Sequence, residues 1–151
     1  TKMLSRIFRS VAEFGVGELH LIHSFRVEKS YWQSPYLDED KIEIALTQGL
    51  ERSGDTVLPQ VFQHRRFKPF IEDVLPGMCA KQRLLIAHPG GYRTLPTDTR
   101  EETTLLVGPE GGFIDYEIAL ATSVGAEPVS LGPRILIVDT AICTVLGREL
   151  T

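Results

Sequence analysis

Apolar residues recur at three- and four-residue spacing through Leu4, Ile7, Phe8, Val11 and Phe14, which predicts an amphipathic helix over 3–14 that stops at Gly15. The pattern then tightens to a strand over 18–24. After a loop at Ser34-Pro35, Asp38 is placed to cap a second helix carrying Ile42, Ala45, Leu46 and Leu50, closed by Ser53-Gly54-Asp55. Leu58 to Gln63 predicts a short strand, with Pro59 putting it at an edge or near a strand start. Phe70 to Leu75 predicts a brief helix closed by Pro76-Gly77. Leu84 to Ala87 and Leu105 to Val107 are apolar without a break, and predict buried strands over 83–87 and 103–107. A helix over 115–123, a strand over 129–131, a turn at Gly132-Pro133 and a terminal helix over 140–150 complete the chain. Helices that alternate with apolar strands imply an α/β domain, a mainly parallel sheet flanked by helices.

Composition narrows the class. With 151 residues, 42% of them hydrophobic and 24% charged, the chain is most simply one soluble domain able to bury a core. Apolar runs such as Leu84 to Ala87 and Ile135 to Val138 are far short of the roughly 20 residues needed to span a bilayer. The opening Thr1-Lys2 ahead of Met3 reads as a piece of a longer protein, and no secretory signal is visible. Two distant cysteines, Cys79 and Cys143, imply neither a zinc ribbon nor a disulfide framework, and a reduced, cytoplasmic setting is expected. His20 and His23 lie on one strand with no third ligand in view, so no metal is expected. The net charge of −4 argues against a dedicated nucleic-acid binder, while leaving room for a local basic patch.

Three strands end in glycine- or proline-bearing loops: His88-Pro89-Gly90-Gly91, Gly108-Pro109-Glu110-Gly111-Gly112, and Gly132-Pro133-Arg134. In open α/β sheets ligands bind beyond the carboxyl ends of the strands. If these strands are neighbours, the loops line one crevice where bare backbone can approach a ligand such as adenine. Any one such loop is usually just a turn, and it is the three together that point to a site. Neither the dinucleotide fingerprint nor a P-loop is present.

The combination "LLVGPEGGF", a helix, "VSLGPRIL" and "DTA" resembles the RsmE family of ribosomal RNA methyltransferases, of the SPOUT class. "AEFGV" (Ala12 to Val16), "ERSGDTVLP" (Glu51 to Pro59) and "LLIAHPGG" extend the resemblance over nearly the whole chain. The resemblance implies methylation of uridine N3 in small-subunit rRNA with S-adenosyl-L-methionine, and a homodimer. It implies a SPOUT-type sheet whose C-terminal segment forms a deep trefoil knot, which connectivity rules alone would reject. It implies that the cofactor is surrounded by His88, Pro89, Gly108, Pro109, Glu110, Gly111, Leu131, Gly132, Arg134, Ile135 and Leu136. It also implies that residues 1–151 are the catalytic domain, without the family's N-terminal, PUA-like RNA-binding domain.

Several positions depart from the family pattern. Where the family tends to read R-I-L-R-x-E-T-A, this chain has Ile137 for the second arginine and Asp139 for the glutamate. Arg52 and Asp55 stand for a glutamine and an arginine, and Ser10 for a lysine. Each change makes the expected RNA face less basic. Methylating N3 requires removal of its proton, alignment with the methyl group and stabilisation of the anionic base. Asp139 is the first candidate for base or orienting group, the alternative being a cap of the last helix. Arg134 is a candidate for holding substrate phosphate or the cofactor carboxylate, the alternative being a structural ion pair. Glu110 reads as a ribose ligand, a dimer contact or a solvated turn residue. Arg65, Arg66 and Lys68 form a basic cluster that could touch RNA or simply face water. Phe113 reads as core rather than a stacking platform.

Overall fold

The computed structural model describes residues 2–90, 94, 101–132, 134 and 136–149, the last two by backbone alone. They form two compact units: 1–21 with 28–63, and 22–27 with 64–151.

The first unit is built on α1 (Lys2–Glu13) and α2 (Glu39–Ser53). The first helix buries Leu4, Ile7, Phe8, Val11 and Ala12, and the second buries Ile42, Ala45, Leu46, Gly49 and Leu50. They approach closely because Gly49 has no side chain. A methyl there would run into the Arg9 carbonyl and come within 2.8 Å of Ala12 Cβ. At the end of α1 the chain turns through Gly15, φ 72°, and Val16 N–H donates back to the Val11 carbonyl at 3.0 Å. Asp38 does occupy the cap position of α2, since its carbonyl accepts Ile42 N–H, but its side chain makes no capping bond. Glu39 and Asp40 instead complement the helix dipole. Between the helices lie 3-10 turns at Lys29–Gln33 and Pro35–Leu37.

Strands β1 (Glu18–Ile22) and β2 (Gln60–His64) form a two-stranded sheet. Gln60 N–H donates to the Gly17 carbonyl near one end and His23 N–H to the His64 carbonyl at the other, so the strands run the same way. His20 stacks on Phe62, with ring centroids 4.7 Å apart.

In the second unit, α3 (Phe67–Pro69), a π-helical turn at Phe70–Val74 and α4 (Leu75–Met78) follow one another. The expected stop at Pro76-Gly77 does not occur. Proline has no N–H to give an ordinary helical ladder, and the wider turn, in which Leu75 N–H donates to the Phe70 carbonyl, carries the chain past it.

The sheet itself is parallel, in the order β4 (Thr103–Val107), β3 (Arg83–Ala87), β5 (Glu127–Val129). The last strand begins two residues earlier than the pattern predicts, and its Pro128 is tolerated at the sheet edge. Helix α5 (Asp115–Ser123) connects β4 to β5, and α6 (Val138–Glu149) ends the chain. Both faces are covered, which is why β3 is apolar throughout its centre. Leu84 and Ile86 join Phe70, Ile71, Leu75, Leu106, Phe113 and Ala121 on one side, while Leu85 meets Val129 and Val145 on the other. Phe113, only 2% exposed, is therefore core.

Candidate functional site

Register decides where the three glycine loops emerge. Ala87 is paired with Val107 on one side and with Val129 on the other, so all three strands end in a row. The loops opening at His88, Gly108 and Ser130 leave one edge of one parallel sheet. The juxtaposition that the sequence left conditional on strand order is thus present.

Each loop is held differently. His88 extends the ladder, its N–H donating to the Val129 carbonyl at 3.0 Å, and the side chain is half-buried beside exposed Pro89. In the second loop Gly112 N–H closes a turn on the Pro109 carbonyl at 2.8 Å, with Gly112 at φ 78°. Gly108 lies against Phe113: a methyl at 108 would be 3.2 Å from both the ring and the backbone nitrogen of that residue. Glu110 and Gly111 are exposed, Gly108 and Pro109 half-buried. In the third, Ser130 Oγ accepts Gly132 N–H at 3.2 Å, which bends the chain directly after the strand. Leu131, Gly132 and Leu136 are half-buried and Arg134 is exposed. Ile135, also expected at the cofactor, lies outside the described residues, as do Gly91 and Pro133.

The segment around the expected catalytic pair differs in detail from the sequence reading. The last helix begins at Val138, two residues before the expected start, and the Ile137 carbonyl accepts the Ala141 N–H at 2.9 Å. Ile137 thus takes the cap position, and Asp139 sits within the first turn. The half-buried Asp139 carboxylate accepts its neighbour's N–H, from Thr140, at 3.0 Å. Its alternative as the side-chain cap is therefore replaced by a first-turn role, where a carboxylate still complements the dipole. Ile137 is 57% exposed.

Sequence reasoning missed a clamp on the second loop. Glu117 is 2% exposed, yet both its carboxylate oxygens are satisfied. One accepts Ile114 N–H at 3.0 Å, and the other accepts Phe25 N–H at 3.0 Å from a segment 92 residues away in the chain. The next residue, Arg26, donates from its guanidinium to the Gly111 carbonyl at 2.5 Å. A methyl on Gly111 would stand 3.0 Å from Arg26 Cδ, so this glycine admits the arginine stem. The signal for Glu117 was its place as third residue of a helix, where glutamate reaches back to the cap N–H. Nothing local pointed to Phe25 or Arg26. In the basic cluster Arg65 and Arg66 are exposed, and Lys68 pairs with Glu72 one turn on, at 3.8 Å. Among the described residues no group of three or more His, Cys, Asp or Glu stands close enough to hold a metal ion, and no helix is long and apolar enough to cross a membrane.

A covered parallel α/β sheet with three glycine-bearing loops at the carboxyl ends of adjacent strands belongs to the class of α/β domains whose ligands bind beyond that edge. The family model of the RNA methyltransferase domain matches residues 1–148, and the chain belongs to that family. Curated relatives carry the name ribosomal RNA small subunit methyltransferase E. A ribosomal RNA small subunit methyltransferase E of Treponema pallidum is 28% identical over 144 residues, covering 93% of this chain and 54% of that protein. The protein of the same name from Synechocystis is 36% identical over 108 residues, 68% of this chain and 35% of its own length. Among solved structures, a Legionella pneumophila chain in complex with the bound cofactor SAM is 28% identical, with a TM-score of 0.78 over 97% of this chain and 60% of that one. A ribosomal RNA small subunit methyltransferase E of Neisseria gonorrhoeae, bound to S-adenosyl methionine, gives a TM-score of 0.80 at 22% identity, over 97% and 60%, a likeness of fold. The chain spans about half the length of the first of these curated relatives and 60% of these solved chains.

Proposed function

We propose that this chain is the catalytic domain of an rRNA methyltransferase that binds S-adenosyl-L-methionine and methylates N3 of a uridine in the small ribosomal subunit. The observation that carries the reading is the register of Ala87, Val107 and Val129, which gathers three glycine loops at one sheet edge in a chain of the RNA methyltransferase family.

The residues at that edge fit the cofactor. Backbone groups of the loops can read an adenine edge, half-buried Leu131 and Leu136 offer apolar contact, and Glu110 offers a carboxylate for ribose hydroxyls. S-adenosylmethionine, when bound, supplies a methyl group already activated by a sulfonium, so the protein's part is positioning and proton handling. In this reading Asp139 accepts or orients the N3 proton, and Arg134 holds substrate phosphate or the cofactor carboxylate. The reading includes a C-terminal trefoil knot, a homodimer formed through it, a cytoplasmic setting and RNA affinity contributed by a PUA-like domain outside this chain.

A second reading has the same knotted, cofactor-binding domain with weak or lost uridine methylation, acting on the ribosome as a binding module or at another RNA site. Exposed Ile137, in place of the family arginine, favours it. Methyl transfer from labelled S-adenosylmethionine to small subunits separates the two. The first predicts incorporation at a single uridine that Asp139→Ala abolishes while cofactor affinity is kept; no incorporation, with cofactor bound, selects the second.

A further inference from the structure

Residues 22–27 lie with the second compact unit, although the chain on either side of them, 1–21 and 28–63, forms the first. Two bonds tie this stretch to the neighbourhood of the second glycine loop. Phe25 N–H donates to the buried Glu117 carboxylate, and the Arg26 guanidinium donates to the Gly111 carbonyl. Arg26 also lies along the glycine. A methyl at 111 would stand 3.0, 3.4 and 3.7 Å from its Cδ, Cβ and Cγ.

That contact accounts for a glycine the turn does not need. Pro109 to Gly112 close a four-residue turn, in which Gly111 holds the third position, and a glycine is required there only where φ is positive. The positive φ belongs instead to Gly112, at 78°. The Gly111–Gly112 peptide is also held at both poles. Its carbonyl accepts the Arg26 guanidinium, and its N–H donates to the Pro109 carbonyl at 2.8 Å. No side chain on either flank restricts this peptide, so these two bonds set its plane. A loop that reads its ligand through bare backbone binds best when that backbone is already ordered, because ordering it on binding subtracts from affinity.

We propose that Arg26 is a positioning residue for the cofactor: its guanidinium fixes the Gly111–Gly112 peptide and so pre-shapes the second glycine loop, and residue 111 is glycine to admit its stem. The inference rests on the S-adenosylmethionine reading above, and a ligand-free measurement keeps the two apart.

Arg26→Met keeps most of the stem and removes the guanidinium. Calorimetry of this variant with S-adenosylmethionine is expected to show roughly tenfold weaker binding, the lower end of what one charge-assisted hydrogen bond contributes. The urea midpoint should barely move, since Arg26 is exposed. Arg26→Lys, which still offers a donor, is expected to recover part of the loss. Gly111→Ala should weaken binding roughly tenfold in the parent but by about twofold at most in Arg26→Ala, where the stem is gone. Without ligand, the Gly112 amide hydrogen should exchange about fivefold faster in Arg26→Met than in the parent. Unchanged affinity in Arg26→Met, or losses from Gly111→Ala and Arg26→Ala that simply multiply, would overturn the proposal and leave the cofactor reading standing. Weaker binding matched by an equal loss of stability would make Arg26 a structural residue only, and overturn it too. No heat from the parent, with Gly112 exchange still quickened in the variant, would sink the cofactor reading and retain the fixing of the loop; unchanged exchange would sink both.

Discussion

Glu117 gives the sharpest test of how the second glycine loop is held. Its buried carboxylate accepts Ile114 N–H and Phe25 N–H, each at 3.0 Å, and so ties the segment bearing Arg26 to the start of α5. A hydrogen bond to a charged group contributes about 1.5–3 kcal/mol, so Glu117→Ala, which orphans both donors, should cost roughly 3–6 kcal/mol. That is much of the stability of a typical domain, about 5–15 kcal/mol. Glu117→Gln is the more measurable change. It keeps one acceptor and turns an amide NH₂ toward the other N–H, for an expected loss of about 1.5–3 kcal/mol. Urea unfolding followed by circular dichroism should show the midpoint fall by about 1 M with an unchanged slope. Cofactor affinity should weaken as well, because Arg26 would no longer be fixed over the Gly111 carbonyl. A Glu117→Gln midpoint indistinguishable from the parent would refute the clamp.

Three further outcomes follow from the packing and exposure. Gly49→Ala should push α1 from α2, because the new methyl meets the Arg9 backbone; a loss of about 1–3 kcal/mol or more is expected in thermal melting, and an unchanged melting temperature would contradict the close approach. Ser24 is 2% exposed and its Oγ has no partner among the described residues, so Ser24→Ala should be neutral or stabilising by up to about 1 kcal/mol; clear destabilisation would mean the hydroxyl is satisfied. Ile137→Arg, at a position 57% exposed, should fit without strain and raise methyl transfer to small subunits roughly three- to tenfold, less than a shielded oxyanion donor supplies; no increase would remove this position from the chemistry.

The central strands were legible in the sequence because they are apolar without alternation, as strands covered on both faces must be. The positions of β3 and β4 match the pattern for that reason, and the bounds of helix α5 match it as well. Where a boundary rested on one residue's preference, tertiary context prevailed. Pro76 did not stop its helix, since a π turn absorbed the missing donor, and Asp38 held the cap position without using its side chain. Leu131 follows β5 rather than ending it, because the ladder to β3 closes at Val129. The site was legible as three loops but not as a neighbourhood: strand order depends on long-range pairing, which no local spacing encodes. Arg26 and Gly111 meet across 85 residues for the same reason.

The most direct measurement is a crystal structure of this chain grown with S-adenosylmethionine. The account predicts electron density for the nucleoside at the carboxyl edge of β4-β3-β5, bounded by the loops that begin at His88, Gly108 and Ser130. Density elsewhere on the chain, or none at this edge with cofactor at saturating concentration, would contradict it.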